Sequence, residues 1–418
     1  MELKTKYQYT YFIKPFLIKE DKYDKYLFKL LKNESCSLKI FEKERDLDIY
    51  THFLQNVRDY FFPTFSYNKE KVKKLNEMDN DIKSLILSKL HCNVFEYKLD
   101  SEIQGKVDSE NSIFFNISKI EIICFDTGIC FLIIKTNLEN NEEFSEVLDF
   151  NFKFKDINSE FYKLKAFNNI KIQTDKFSNM KELSAFINEI IGVNDKYWAE
   201  CDMDIYNKRF FTYTYTCIDQ KHWNTKNSFE NIEDDFFKYT NVLPNNYTSS
   251  LYKEKLDEKG ETISKWEYAR YGLTKQSSSL LASNIDIRNY TKLPHEYENQ
   301  YLYTLIIALY QRIYLKKINM ECKNKKDINN LRRKFTKFVS EVWTKELTNS
   351  ETGSMFYANW KKVFELEEVY EEIKNKYDVI YKETRIDSNN IVNKVIIIAL
   401  IVSLLLNIIN FITLIKVT

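Results

Sequence analysis

Apolar positions along this chain fall into three successive patterns. Up to about residue 220 they come in short runs with strand or helix spacing. Residues 7–13 place rings at Tyr7, Tyr9 and Tyr11, and residues 211–217 alternate Phe211, Tyr213, Tyr215 and Cys217 with Thr212, Thr214 and Thr216. Residues 120–125 and 129–135 are apolar on both faces and flank Asp126-Thr127-Gly128, which predicts a hairpin at the centre of a covered sheet. Tyr50, Phe53, Leu54 and Val57 form one helical stripe. Leu183, Phe186, Ile187, Ile190 and Ile191 form another, opened by a capping pattern from Asn179 to Glu182. Residues 221–293 are polar and weakly periodic, as a loop-rich connector would be.

Beyond Pro294 the spacing becomes helical throughout. One helix is expected over 296–320, with Leu302, Leu305, Ile306, Leu309 and Ile313 on one face. A second should start near Asp327 and carry Leu331, Phe335, Phe338 and Val342. After a break at 349–353, Trp360, Val363, Leu366, Tyr370, Ile373, Tyr377 and Ile380 repeat every three or four residues between charges, which predicts a coiled-coil seam. The stripe leads into residues 395–415, an uncharged apolar run that would cover about 30 Å as a helix. Lys376, Lys382, Arg385 and Lys394 precede this run and only Lys416 follows it, which predicts a cytoplasmic N-terminal part. Within the run, Ala399, Ser403, Asn407 and Asn410 share one face, with Thr413 beside them. Polar groups there suggest self-association or a wet pore.

The expected architecture is therefore an α+β cytosolic domain (1–220), a connector (221–293), a helical hairpin and long coiled-coil stalk helix (294–394), and one C-terminal transmembrane helix (395–415). The expected location is the cell membrane, single-pass and tail-anchored. Whether 354–415 forms one helix, or is interrupted at Asn389 and Asn390, is open from sequence alone.

Composition narrows the chemistry. The 62 basic and 61 acidic side chains nearly cancel, which gives no field favouring nucleic acid. With only 6 Gly there is little material for a phosphate loop, and no Walker A, H-E-x-x-H, G-x-S-x-G or dinucleotide fingerprint occurs. The 7 Cys form no C-x-x-C pair, and the N-terminus shows no signal peptide. The histidines are His52, His91, His222 and His295. His91-Cys92 and the pairs Asp202/Asp204 and Asp234/Asp235 are read as packed or solvated groups, and His222-Trp223 reads equally well as a packed aromatic pair or a catalytic one. No metal, cofactor or catalytic set is expected, and the protein is not expected to be an enzyme.

Three stretches carry a resemblance: Phe125-Asp126-Thr127-Gly128-Ile129-Cys130-Phe131-Leu132, Val147-Leu148-Asp149-Phe150-Asn151 and Ala308-Leu309-Tyr310-Gln311-Arg312. With the domain order, they make the chain resemble divergent CorA-like membrane proteins, relatives of CorA-type divalent-cation channels that include those associated with type III CRISPR and phage defence. The chain lacks the Gly-Met-Asn signature and the second span of the channels, which argues against ordinary magnesium transport. The resemblance implies a homo-oligomeric membrane effector or ion channel in antiviral defence. Its cytosolic domain would sense a signal, with a small nucleotide ligand among the implied partners and no ligand residues carried over. The alternative is a tail-anchored coiled-coil tether that binds a partner protein. A divalent-cation transporter or a membrane-attached enzyme ranks lower.

Overall fold

The computed structural model describes residues 2–99, 103–107, 113–139, 143–156, 170–174, 177–192, 209–248, 261–323 and 328–417. They divide into two units, residues 1–314 with 341–366, and residues 315–340 with 367–418.

The first unit is built on one mixed sheet. Its strands are β1 (Thr5–Leu17), β2 (Cys36–Leu38), β3 (Cys92–Tyr97), β4 (Ile103–Val107), β5 (Ile113–Phe125), β6 (Ile129–Leu138), β7 (Ile170–Thr174), β8 (Phe177–Glu182), β9 (Phe211–Ile218), β10 (Glu261–Trp266), β11 (Ala269–Leu273) and β12 (Ser277–Ser283). The order is β10-β11-β12-β9-β1-β6-β5-β4-β7-β8, and β3 pairs with both β5 and β2. β1 is central, with Thr10–Leu17 against β6 on one side and β9 along the other. β9 and β12 run parallel, with Thr212 opposite Ser277. The β5–β6 turn has Gly128 at φ +77°, the left-handed region where a side chain is strained.

Helices cover both faces, as two-sided apolar strands require. One face packs on α1 (Tyr23–Lys32), α6 (Phe144–Phe154), α7 (Leu183–Ile191) and α8 (Glu233–Asn241), with Phe12, Leu132 and Ile122 in the same core. Between α1 and α6 run α2 (Leu47–His52), α3 (Gln55–Phe61), α4 (Lys69–Glu77) and α5 (Asn80–Leu87). The opposite face carries a buried tyrosine array. Tyr213 stacks on Tyr297 with ring centroids 4.1 Å apart, and Tyr9 donates to the Pro294 carbonyl at 2.6 Å. The Glu298 carboxylate takes the Tyr11 hydroxyl and pairs with Lys135 at 2.8 Å. α9 (Leu302–Lys323) continues from this array, and its Tyr310 stacks on Phe125 at 3.9 Å. α10 (Ile328–Lys337), α11 (Glu351–Val363) and α12 (Leu366–Val417) complete the chain.

Several expectations change. Residues 221–293, expected as a loop-rich connector, supply α8 and β10–β12. The Tyr50–Val57 stripe is two helices, because Phe53 is extended and caps α2. Residues 177–182 are strand up to the start of α7, and Glu182 makes no side-chain cap there. The stretch 354–415, whose continuity the sequence leaves open, is broken at Phe364 and Glu365, the latter at φ +53°. Asn389 and Asn390 lie within α12 without interrupting it. The position proposed for the second helix's cap, Asp327, lies outside the described residues.

The membrane expectation is also corrected. Among the described residues, no helix is long and apolar enough to cross a membrane. The transmembrane helix, the single-pass cell-membrane location and the ion-channel reading are therefore not supported.

Candidate functional site

The sequence-predicted sites separate. Ala399 and Ser403 are exposed on α12, whereas the side chains of Asn407, Asn410 and Thr413 lie outside the described residues. The seam is divided between the units. Trp360, Val363 and Leu366 are buried in the first, where Trp360 packs edge-on to Phe211 of β9 at 5.9 Å. In the second, Tyr370 stacks on Phe335 at 5.7 Å, Tyr377 approaches the same ring at 5.8 Å, and Ile373 is fully buried. The side chain of Ile380 lies outside the described residues.

The histidines are engaged locally. His91 Nδ1 is 3.0 Å from Asp126 Oδ2, and its ring stacks on Tyr60 at 4.4 Å. Cys92 is buried, and burial pushes its thiol pKa well up, away from the thiolate a metal would need. His222 Nε2 accepts from the Lys4 amide at 3.2 Å, and Trp223 is buried against Phe229. His295 meets Asp48 at 2.7 Å. Asp234 and Asp235 lie in the first turn of α8, where carboxylates suit the helix dipole. Asp202 and Asp204 lie outside the described residues. Among the described residues no group of three or more His, Cys, Asp or Glu could hold a metal ion.

A different place has the character of a binding site. At the N-terminal ends of the parallel strands β9 and β12, a cleft of about 300 Å³ is lined by Lys155, Arg209, Thr212, Asn241, Lys275 and Ser277, among others. Four local structures converge to form it. Lys155 caps the C-terminus of α6, and Val242 caps the C-terminus of α8 at φ +52°, a position a β-branched residue rarely takes. Arg209 and Phe210 lead into β9, where the Phe210 amide donates to the Lys155 carbonyl at 2.8 Å. The turn from Thr274 to Ser277 joins β11 to β12 and is closed by the Thr274 amide on the Ser277 carbonyl at 2.9 Å.

Charge and an unmet hydroxyl define the chemistry. Lys155 Nζ donates to the Val242 carbonyl at 2.8 Å, and burial lowers its pKa to about 8. Arg209 pairs with Asp156 at 2.7 Å and Lys275 with Glu365 at 2.5 Å. Thr212, Thr214 and Thr216 project from the same face of β9. The hydroxyls of Thr214 and Thr216 meet the Tyr239 hydroxyl at 2.9 and 2.8 Å. Thr212 is one of the cleft's lining residues and is 1% exposed, and among the described residues its buried Oγ1 has no hydrogen-bond partner. An unpaired buried hydroxyl costs about 1–3 kcal/mol, so such a group calls for an explanation. Comparison with protein families, curated proteins and solved structures returns no match. The functional reading therefore rests on this geometry.

The sequence pointed to the strand that carries Thr212 but not to the cleft. Lys155, Arg209 and Lys275 come from three distant segments with no shared motif. Only the sheet brings them together.

Proposed function

We propose that this protein is a binding module, not an enzyme, whose α+β unit takes a small anionic ligand in the cleft between Lys155, Arg209 and Lys275. The buried, unpartnered Thr212 hydroxyl beside these cations carries the reading. Phosphate oxygens suit the site, because arginine and lysine bind them through charge-assisted hydrogen bonds and a hydroxyl can add one more. The volume is at the lower end of ligand pockets, which fits a compact phosphorylated molecule. The resemblance to CorA-like defence proteins makes nucleotides the first ligands to try, in a signalling role without catalysis.

The test is calorimetric titration of the full chain with inorganic phosphate, pyrophosphate and nucleoside phosphates. Binding should weaken about tenfold or more in Arg209→Gln and Lys155→Met, the loss expected for a charged hydrogen bond. Affinities unchanged in both variants would remove the reading.

A second reading concerns assembly. Val395, Ile396, Ile397, Ile398, Leu400, Ile401 and Val402 of α12 are at least half exposed. A contiguous apolar surface of this kind marks an interaction surface. It favours association with another chain, a second copy first. Light scattering on the full chain distinguishes a discrete oligomer from a monomer that needs a different partner.

A further inference from the structure

The cleft is tied to the point where α11 turns into α12. Lys275 lines the cleft, and its Nζ lies 2.5 Å from Glu365 Oε1. Its carbonyl accepts from Arg312 Nη1 at 3.4 Å, and the Arg312 guanidinium sits 4.9 Å over the Phe364 ring. Phe364 and Glu365 are the two residues between the helices, and Phe364 stacks on Trp360 at 5.1 Å. Glu365 is held at φ +53°, a conformation that a residue with a side chain keeps only where its surroundings enforce it. Both the side chain and the backbone of Lys275 therefore contact the groups that shape this turn.

Building on the cleft reading, we propose that a bound anion and Glu365 compete for Lys275, so that filling the cleft loosens the turn joining α11 to α12. The Lys275–Glu365 pair is partly solvated, with side chains 38% and 54% exposed. Such pairs are weak enough for a ligand carrying several negative oxygens to displace. Displacement removes one contact that holds Glu365 in its left-handed conformation. The amides of Phe364 and Glu365, which donate to the Trp360 and Lys362 carbonyls at 2.9 and 3.0 Å, report the change directly.

The experiment uses the full chain with pyrophosphate as the probe, combining calorimetry with hydrogen exchange at residues 363–367. In the wild type, pyrophosphate should speed exchange at Phe364 and Glu365. Glu365→Gln should exchange quickly there without ligand and bind pyrophosphate about two- to fivefold more tightly, because an exposed competing carboxylate is gone. Pyrophosphate binding with unchanged exchange, and unchanged affinity in Glu365→Gln, would overturn the coupling and leave the cleft reading intact. No binding in the wild type or in Glu365→Gln would overturn both. Should Glu365→Gln not fold, Lys275→Gln replaces it. Fast exchange at the turn without ligand then supports the coupling, and wild-type exchange overturns it.

Discussion

Replacing Thr212 by valine separates folding from binding. The new side chain keeps the branched shape, so β9 and its pairing with Phe12 and Ser277 should persist. The hydroxyl removed is buried and unpartnered, and leaving such a group unmet costs about 1–3 kcal/mol. The methyl that replaces it contributes about 0.8 kcal/mol if it stays buried. Thr212→Val should therefore be more stable than the wild type by about 1 kcal/mol or more, a rise of roughly 2 °C in Tm for a protein of this size. Affinity for a phosphate probe should fall about tenfold, since a hydrogen bond to a charged oxygen is lost. Thr214→Val is the control, because the Thr214 hydroxyl contacts Thr10, Asn151 and Tyr239. That change should cost about 1–3 kcal/mol and leave affinity alone. Denaturant melts and calorimetry on both variants read the two quantities. A Thr212→Val protein destabilised like Thr214→Val, with unchanged affinity, would refute the assignment of this hydroxyl to a ligand.

Three further outcomes are expected. The Lys155 ammonium, with its pKa lowered to about 8 by burial, is present below that pH and lost above it. Anion affinity should therefore fall as pH rises through 8, and Lys155→Met should flatten that profile in calorimetric titrations. Burial lowers the pKa of His52 from 6.5 to about 4, so the unfolded chain binds its proton more readily than the folded one. Its contribution is intact above pH 6.5 and fades toward pH 4, by about 1.4 kcal/mol per unit at most, and His52→Asn should remove that slope in urea melts. Gly128→Ala places a Cβ 2.1 Å from the Ile18 carbonyl oxygen at a positive-φ position, so it should destabilise by about 3 kcal/mol or more in the same melts.

The strands around β1 were legible because their period survives in the residues themselves. Tyr7, Tyr9 and Tyr11 face one side, and the hairpin around Gly128 announces its own turn. β12 was hidden for a chemical reason. Ser277, Ser278 and Ser279 look like loop, yet all three are buried with partnered hydroxyls. Ser277 donates to the Thr240 carbonyl, Ser278 meets the Tyr297 hydroxyl at 2.9 Å, and Ser279 meets Thr240 at 2.9 Å. Hydropathy cannot register that compensation. The helix break at Glu365 was equally silent, because neither glycine nor proline marks it. It follows from Trp360 and Phe364 both packing inward. The cleft could not be seen because its charges are balanced along the chain and meet only across the finished sheet.

The central place of β1 sets the order in which the molecule can be made. β1 leaves the ribosome before both of its partners, β6, more than 100 residues later, and β9, which ends at Ile218. β12, which flanks β9, arrives later still. At translation rates of roughly 5–20 residues per second, β1 waits about ten seconds or more for its second neighbour. An apolar strand with both edges open is a template for mispairing during that interval. Synthesis speed and chaperone supply, rather than final stability, should therefore govern how much of this protein a cell can produce in native form.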